Sequence, residues 1–121
     1  MSADDPELLV STAWLAERLS APDIRILDGT LPQAGTAGDP KESHRAGHIP
    51  GARFFDIAEI ADTDSPLPNT MPPVEKFVSS VRRLGIGDGH RVVVYDQHGL
   101  YSAARVWWMF RVFGHRDVAV L

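Results

Sequence analysis

The chain has 121 residues, 44% of them hydrophobic and 23% charged, which is the composition of a single globular domain. Its formal net charge of -4 disfavours nucleic acid and anionic membranes as partners. The sequence contains no cysteine, which excludes disulfides, thiolate metal ligands and a cysteine nucleophile from this chain.

The N-terminal stretch MSADDPELLV is acidic and lacks the basic segment of a secretory signal. The longest uninterrupted apolar stretches, such as Val106–Phe110, are far shorter than the ~20 residues that span a bilayer. We therefore expect a soluble, cytoplasmic protein with no membrane partner.

In chain order, Ser11 is predicted to cap a helix that runs to about Ser20, where Pro22 ends it. The stretch Ile24–Asp28 is typical of a short strand that ends in a carboxylate. Residues 31–40, LPQAGTAGDP, are rich in glycine and proline and predict a loop.

A short helix is predicted over Glu42–Ala46, followed by a turn and a second strand over Ala52–Phe55. Residues 58–73 contain many turn-forming residues and no periodicity, so a long surface loop is expected there. Pro73 is well placed to start the next helix, and Gly85 to end it. That helix has one apolar face, formed by Val74, Phe77, Val78, Val81 and Leu84.

The stretch Arg91–Tyr95 predicts a strand that is apolar throughout, which is typical of a parallel sheet covered by helices on both faces. Ser102 is predicted to cap a last helix, which Gly114 ends, and Val118–Leu121 begins a further strand. The alternation of strands and helices therefore predicts an α/β fold.

Two features predict that this chain is a fragment truncated at its C-terminus. The helix over Ala103–Phe113 is apolar on nearly every side, and a chain of this size has few means of covering it. The chain also stops inside the apolar stretch that ends at Leu121. The alternative is a complete domain that buries this helix by dimerising.

Asp96, His98 and Ser102 together resemble a nucleophile triad. Geometry, and not spacing in the sequence, decides whether such residues act as a triad. The G-x-S-x-G arrangement that presents a nucleophilic serine is absent, which disfavours a hydrolase. The simpler interpretation has Ser102 as the helix N-cap, Asp96 bonded to loop amides and His98 exposed. An aspartyl-phosphate at Asp96 lacks evident companion carboxylates for magnesium.

His44 and His48 have the spacing of two metal ligands on a helix, but Gly47 and Pro50 make a continuous helix doubtful and no third ligand is evident. We expect His48 instead to make local hydrogen bonds. The long loop contains acidic residues without the calcium-binding spacing of an EF-hand, namely Asp56, Glu59, Asp62 and Asp64. The sequence therefore predicts neither a metal site nor a cofactor.

Several motifs, in this order, closely resemble the N-terminal domain of two-domain rhodaneses, the thiosulfate and 3-mercaptopyruvate sulfurtransferases. The resemblance covers about Leu9 to Leu121. The motifs are HIPGA at 48–52, FFDI at 54–57, SPLP at 65–68, LGI at 84–86, VYD at 94–96 and GLYSAARVWWMF at 99–110.

The resemblance implies a central parallel sheet of about five strands with helices on both faces, formed here by residues 1–121. It also implies a second, C-terminal rhodanese domain as partner. In the family, a cysteine of that domain takes sulfur from thiosulfate or 3-mercaptopyruvate as a persulfide and passes it to a thiol or cyanide. Asp96 stands at the corresponding position here, so this domain is expected to be non-catalytic.

The resemblance further implies that Leu100, Tyr101 and Asn69 lie near the substrate cleft. Mercaptopyruvate enzymes often have a histidine and an aspartate at the positions of Asn69 and Ala58, so the sulfur donor stays open. The resemblance assigns structural roles to His48, Gly51, Asp56, Ser102 and Arg105. The alternative function is a stand-alone, inactive rhodanese-like module for binding or regulation.

Overall fold

The computed structural model describes residues 9–31, 39–62, 64, 71–87, 89–97 and 102–121. The strands are β1 (Ile24–Asp28), β2 (Arg53–Phe54), β3 (Arg91–Tyr95) and β4 (Val118–Val120). The helices are α1 (Thr12–Ala16), α2 (Pro40–Ala46), α3 (Ile57–Ile60), α4 (Val74–Arg83) and α5 (Ala103–Val112). Strands and helices alternate, as the sequence predicts.

The strands of the described residues form one parallel sheet in the order β2-β1-β3-β4. Beyond β4, Leu9 makes an isolated parallel bridge to Val120, and the Val10 amide donates to the Val120 carbonyl at 3.0 Å. The described residues therefore contain four strands and one isolated bridge, where about five strands were expected.

Alternate strand residues point to opposite faces of the sheet, and apolar residues on both faces pack against helices. One face packs under α3, α4 and α5, and its strand residues are Leu27, Val92, Val94, Val118 and Val120. The other face packs against Leu15 of α1, and its strand residues are Ile26, Val93 and Ala119. The central strand β3 is therefore buried on both faces, as its unbroken apolar run indicates.

Helices α4 and α5 end in the same way. Gly85 and Gly114 have φ angles of 84° and 88°, in the left-handed region that glycine adopts without strain. The Ile86 amide bonds to the Val81 carbonyl at 3.0 Å after α4, and the His115 amide bonds to the Phe110 carbonyl at 2.9 Å after α5. Both ends are Schellman motifs, which confirms the two predicted glycine stops.

Three predicted boundaries differ from the structure. Helix α1 is shorter than expected: the Ser11 hydroxyl accepts from the Trp14 amide at 3.0 Å, but turns replace the helix after Ala16. The predicted loop at 58–73 begins with the helical turn α3, because the Asp56 carboxylate accepts from the Glu59 amide. The predicted second strand is reduced to the two residues of β2.

Helix α5 is only partly covered. Its inner face is fully buried and consists of Ala103, Val106, Met109 and Phe110. On the outer face Trp108 is 47% exposed and Val112 is 49% exposed. Among the described residues, no helix is long and apolar enough to cross a membrane.

Candidate functional site

The carboxyl ends of β1 and β3 lie side by side at the place where the strand order reverses. From β1 the chain moves outward to β2, whereas β3 pairs with the other side of β1. In open α/β sheets, ligands bind in the crevice outside the carboxyl ends at such a switch point. The residues that follow these two strands therefore form the candidate site.

After β3, the carboxylate of Asp96 caps helix α5. Its Oδ2 atom accepts from the amides of Ser102 and Ala103, at 2.8 and 2.7 Å. Asp96 thus bonds to backbone amides, as predicted, but these are amides at the start of α5. A negative charge at this end of a helix is favourable, since the unpaired amides carry partial positive charge.

The prediction that the Ser102 side chain caps α5 is wrong. Ser102 occupies the N-cap position, but its side chain makes no capping hydrogen bond. Its buried hydroxyl instead accepts from the Leu31 amide at 3.0 Å, in the segment after β1. Because Asp96 already takes the helix amides, the Ser102 hydroxyl can join the two segments.

Two further hydrogen bonds join these segments. The Gly29 amide donates to the Tyr95 carbonyl at 2.8 Å, and the Gln97 amide donates to the Thr30 hydroxyl at 3.2 Å. Gly29 has no room for a side chain, because a Cβ atom there would lie 2.7 Å from Cγ2 of Val106 in α5. The segment Gly29–Leu31 is therefore fixed against both the end of β3 and the helix that follows it.

Asp28, the last residue of β1, is completely buried. Its Oδ1 atom accepts from the Thr30 amide at 3.0 Å and from the Thr30 hydroxyl, while Oδ2 lies 3.0 Å from Nδ1 of His44 in α2. Because a carboxylate can only accept, Nδ1 of His44 is assigned as the donor in this pair. Both oxygens of the buried Asp28 side chain are thereby hydrogen-bonded, as burial of a polar group requires.

Tyr95 completes this polar layer at the end of β3. Burial raises the pKa of its phenol above the ordinary 10.0; the hydrogen bond from the Ile49 amide, at 3.2 Å, opposes the shift, and the charge of Asp28 adds to it. The phenol is therefore neutral at physiological pH, and it accepts from the turn that precedes β2.

The two histidines of the predicted metal spacing do come together, but not as a metal cluster. Their rings stack with centroids 4.2 Å apart, and Nδ1 of His48 lies 2.7 Å from the His44 carbonyl. The expected local hydrogen bonding of His48 is confirmed. Within the described part of the chain, no group of three or more histidine, cysteine or acidic side chains is placed to hold a metal.

The remaining acidic positions have local roles. Asp56 caps α3, and its other oxygen lies 3.6 Å from the Lys41 ammonium. Asp62 accepts from the Asp64 amide at 3.1 Å. Glu59 lies 4.0 Å from the same lysine ammonium. Asp56 and Asp62 thus bond to nearby backbone amides, while Glu59 lies near a lysine, and none of these contacts gathers the carboxylates around one point.

Besides His48, Asp56 and Ser102, the remaining residues assigned to structural roles are Gly51 and Arg105. Gly51 has a φ angle of 82°, which a turn before β2 requires and which other residues adopt only with strain. The guanidinium of Arg105 lies 5.5 Å from the ring centroid of Trp108, one turn along the outer face of α5. The predicted site residues Asn69, His98, Leu100 and Tyr101 lie outside the described residues.

Comparison with known proteins identifies the fold. Residues 11–121 match the model of the rhodanese-like domain family. The chain belongs to the rhodanese-like family. It is 44% identical to the Arabidopsis thaliana mitochondrial thiosulfate/3-mercaptopyruvate sulfurtransferase 1, over 99% of this chain and 32% of that protein.

Other relatives agree. Human 3-mercaptopyruvate sulfurtransferase is 46% identical, over 93% of this chain and 40% of its own length. The crystal structure of a 3-mercaptopyruvate sulfotransferase, SseA from Escherichia coli, aligns with a TM-score of 0.88 and 40% identity, over 94% of this chain and 44% of that chain. The chain thus spans well under half the length of these relatives, consistent with the N-terminal domain of a two-domain enzyme.

At the switch point of this rhodanese-like domain, amides at the start of α5 lie next to the end of β3. Its own Asp96 carboxylate occupies the two helix amides, and the chain has no thiol. Sequence reasoning singled out Asp96 but missed the network around Asp28. The available signal was a strand ending in a carboxylate, with a histidine in the following helix.

Proposed function

We propose that this chain is the non-catalytic N-terminal rhodanese-like domain of a two-domain sulfurtransferase. The whole protein would move sulfane sulfur from thiosulfate or 3-mercaptopyruvate to a thiol or cyanide, through a persulfide on a cysteine of the companion domain. A single observation carries this proposal: a carboxylate, Asp96, occupies the amide pair after the central strand of a chain without cysteine.

The chemistry of sulfur transfer supports this division of labour. A persulfide forms only on a thiolate, and a helix N-terminus favours a thiolate by lowering its pKa. A carboxylate at the same place is stabilised by the same amides but cannot carry sulfane sulfur. The chain can therefore shape a cleft for substrates without itself carrying the transferred atom.

The companion domain is also the proposed partner of the outer face of α5. Trp108 and Val112 are about half exposed there, and Arg105 and Arg111 lie against the faces of Trp108 and Trp107. Large aromatic side chains flanked by arginine are enriched at protein interfaces. The relatives are more than twice as long as this chain, which supports a partner domain in the same polypeptide.

The test of the proposal is an activity assay of the purified chain, alone and combined with the companion domain encoded with it. Thiocyanate formation from thiosulfate and cyanide, and pyruvate formation from 3-mercaptopyruvate and a thiol, measure the two donor reactions. We expect no turnover and no persulfide mass adduct from the chain alone, and turnover from the combination. Turnover by the chain alone would refute the proposal. A folded chain that is inactive in every combination would favour the alternative, a stand-alone rhodanese-like module for binding or regulation.

The interface is tested separately with Trp108→Ala. If Trp108 is a central contact of the interface, we expect this variant to lose about 2 kcal/mol of binding free energy, which weakens Kd roughly thirtyfold. The matched control is Val74→Ala, which removes a similarly exposed apolar side chain from α4. Equal affinities of the two variants for the companion domain, measured by titration calorimetry, would exclude this face as the interface.

A further inference from the structure

We propose that His44 is a positioning residue of the switch-point site. It acts through the buried Asp28 carboxylate and the Thr30 hydroxyl, and so fixes the Gln97 amide, where the segment after β3 begins. An effect of His44 on catalysis rests on the proposed function, whereas its effect on the position of the Gln97 amide does not.

The hydrogen bonds form a chain with a single consistent direction. Nδ1 of His44 donates to Oδ2 of Asp28, and the Thr30 hydroxyl donates its one proton to Oδ1. The hydroxyl oxygen is then left as the acceptor for the Gln97 amide, at 3.2 Å. A hydroxyl that donates to a carboxylate is also a stronger acceptor, so each bond supports the next.

The position of His44 is itself well determined. Its side chain is 13% exposed, and its ring stacks on His48 and tilts against Phe54, with centroids 5.6 Å apart. Asp28 is completely buried and offers no access to water as a substitute partner. Loss of the His44 donor therefore leaves a buried oxygen unpaired, which favours rearrangement of the Asp28–Thr30 pair.

The first experiment measures amide hydrogen exchange by NMR in the chain itself. His44→Phe keeps the ring but removes the donor, whereas His44→Asn restores an N–H close to the position of Nδ1. We expect exchange at Gln97 to accelerate about tenfold in His44→Phe, the loss of about one hydrogen bond, and to return towards the wild-type rate in His44→Asn. The amide of Val93, in the buried centre of β3, reports global unfolding and should not follow this pattern.

The matched control is His90→Phe, at the amino end of β3, where Nδ1 of His90 accepts from the Gly87 amide. This variant should leave exchange at Gln97 unchanged. The positioning role is refuted if Gln97 exchanges at the same rate in His44→Phe as in the wild type. It is equally refuted if Gln97 and Val93 accelerate together.

The second experiment measures kinetics of the chain combined with its companion domain. Displacement of the segment at Gln97 should weaken substrate binding without altering the thiol of the companion domain. His44→Phe should therefore raise KM several-fold and leave kcat nearly unchanged. His44→Asn should restore KM. An unchanged KM in a variant with fast Gln97 exchange would refute the catalytic consequence alone, and an inactive wild-type combination would count against the proposed function and not against the positioning role.

Discussion

Asp28 and Asp96 stand at the carboxyl ends of two neighbouring parallel strands, but the structure uses their carboxylates differently. Asp28 is completely buried and pairs with side chains of α2 and of the segment after β1. Asp96 is partly buried and pairs with backbone amides at the start of α5. One carboxylate joins separate elements of the fold, whereas the other caps the start of a helix.

The difference shows that the two strand ends at the switch point are held in place by different kinds of hydrogen bond. The strand–loop–helix geometry after β3 needs an acceptor for two helix amides, and Asp96 supplies it. Gln97, which follows Asp96, is joined to the end of β1 through the Thr30 hydroxyl, and Thr30 in turn bonds to Asp28. The hydrogen bonds that hold this end of the sheet together therefore need no thiol.

The largest effect is expected from Asp28→Ala. It removes the acceptor of a buried network and leaves the Thr30 hydroxyl and Nδ1 of His44 without their partner, which should lower the free energy of unfolding by about 3 kcal/mol. Urea denaturation measures this loss. The control is Asp23→Ala, at the exposed start of the same strand, which should change stability by less than about 0.5 kcal/mol. Equal losses would show that Asp28 does not join the elements as described.

Gly29→Ala tests the contact between the segment after β1 and helix α5. The new Cβ would lie 2.7 Å from Cγ2 of Val106, so backbone or side chain must shift, at a cost of about 2 kcal/mol. Gly47→Ala is the matched control, since a Cβ at that position would meet nothing within 4 Å and the φ of -172° is ordinary extended backbone. A thermal shift that is the same in both variants would argue against a tight approach of Gly29 to α5.

Much of the fold follows from sequence patterns, whereas most of the site does not. The apolar run of Arg91–Tyr95 predicts the central strand, and the glycines after α4 and α5 predict their ends, because both signals are local. The predicted N-cap position of Ser102 is confirmed but its capping hydrogen bond is not, since its hydroxyl and the Asp96 carboxylate are equally good caps in sequence. Only the three-dimensional placement of Leu31 and of the helix amides decides between them.

Asp96→Ala is the direct test of which side chain caps α5. It should destabilise the chain by about 1 kcal/mol and accelerate hydrogen exchange at Ser102 and Ala103, because water replaces the carboxylate only in part. Asp96→Asn retains an acceptor without the charge, so its free energy of unfolding should lie between those of the wild type and Asp96→Ala. If Ser102→Ala, and not Asp96→Ala, exposes the Ala103 amide, the assignment of the cap is wrong.

The smallest effect is expected from Tyr95→Phe, which probes the neutral group beside Asp28. Burial raises the pKa of this phenol, so the folded state holds its proton to higher pH than the unfolded state, whose pKa is near the ordinary 10.0. The unfolded state therefore binds fewer protons above that pH, and the stability of the wild type must fall as the pH rises through this range. Tyr95→Phe should lose up to about 1 kcal/mol at neutral pH, where the Ile49 amide loses its acceptor, but should decline less steeply in alkali. Urea denaturation from neutral pH to pH above 10 distinguishes these slopes. Parallel curves would show that the Tyr95 phenol titrates alike in both states, so that its burial does not disfavour the phenolate.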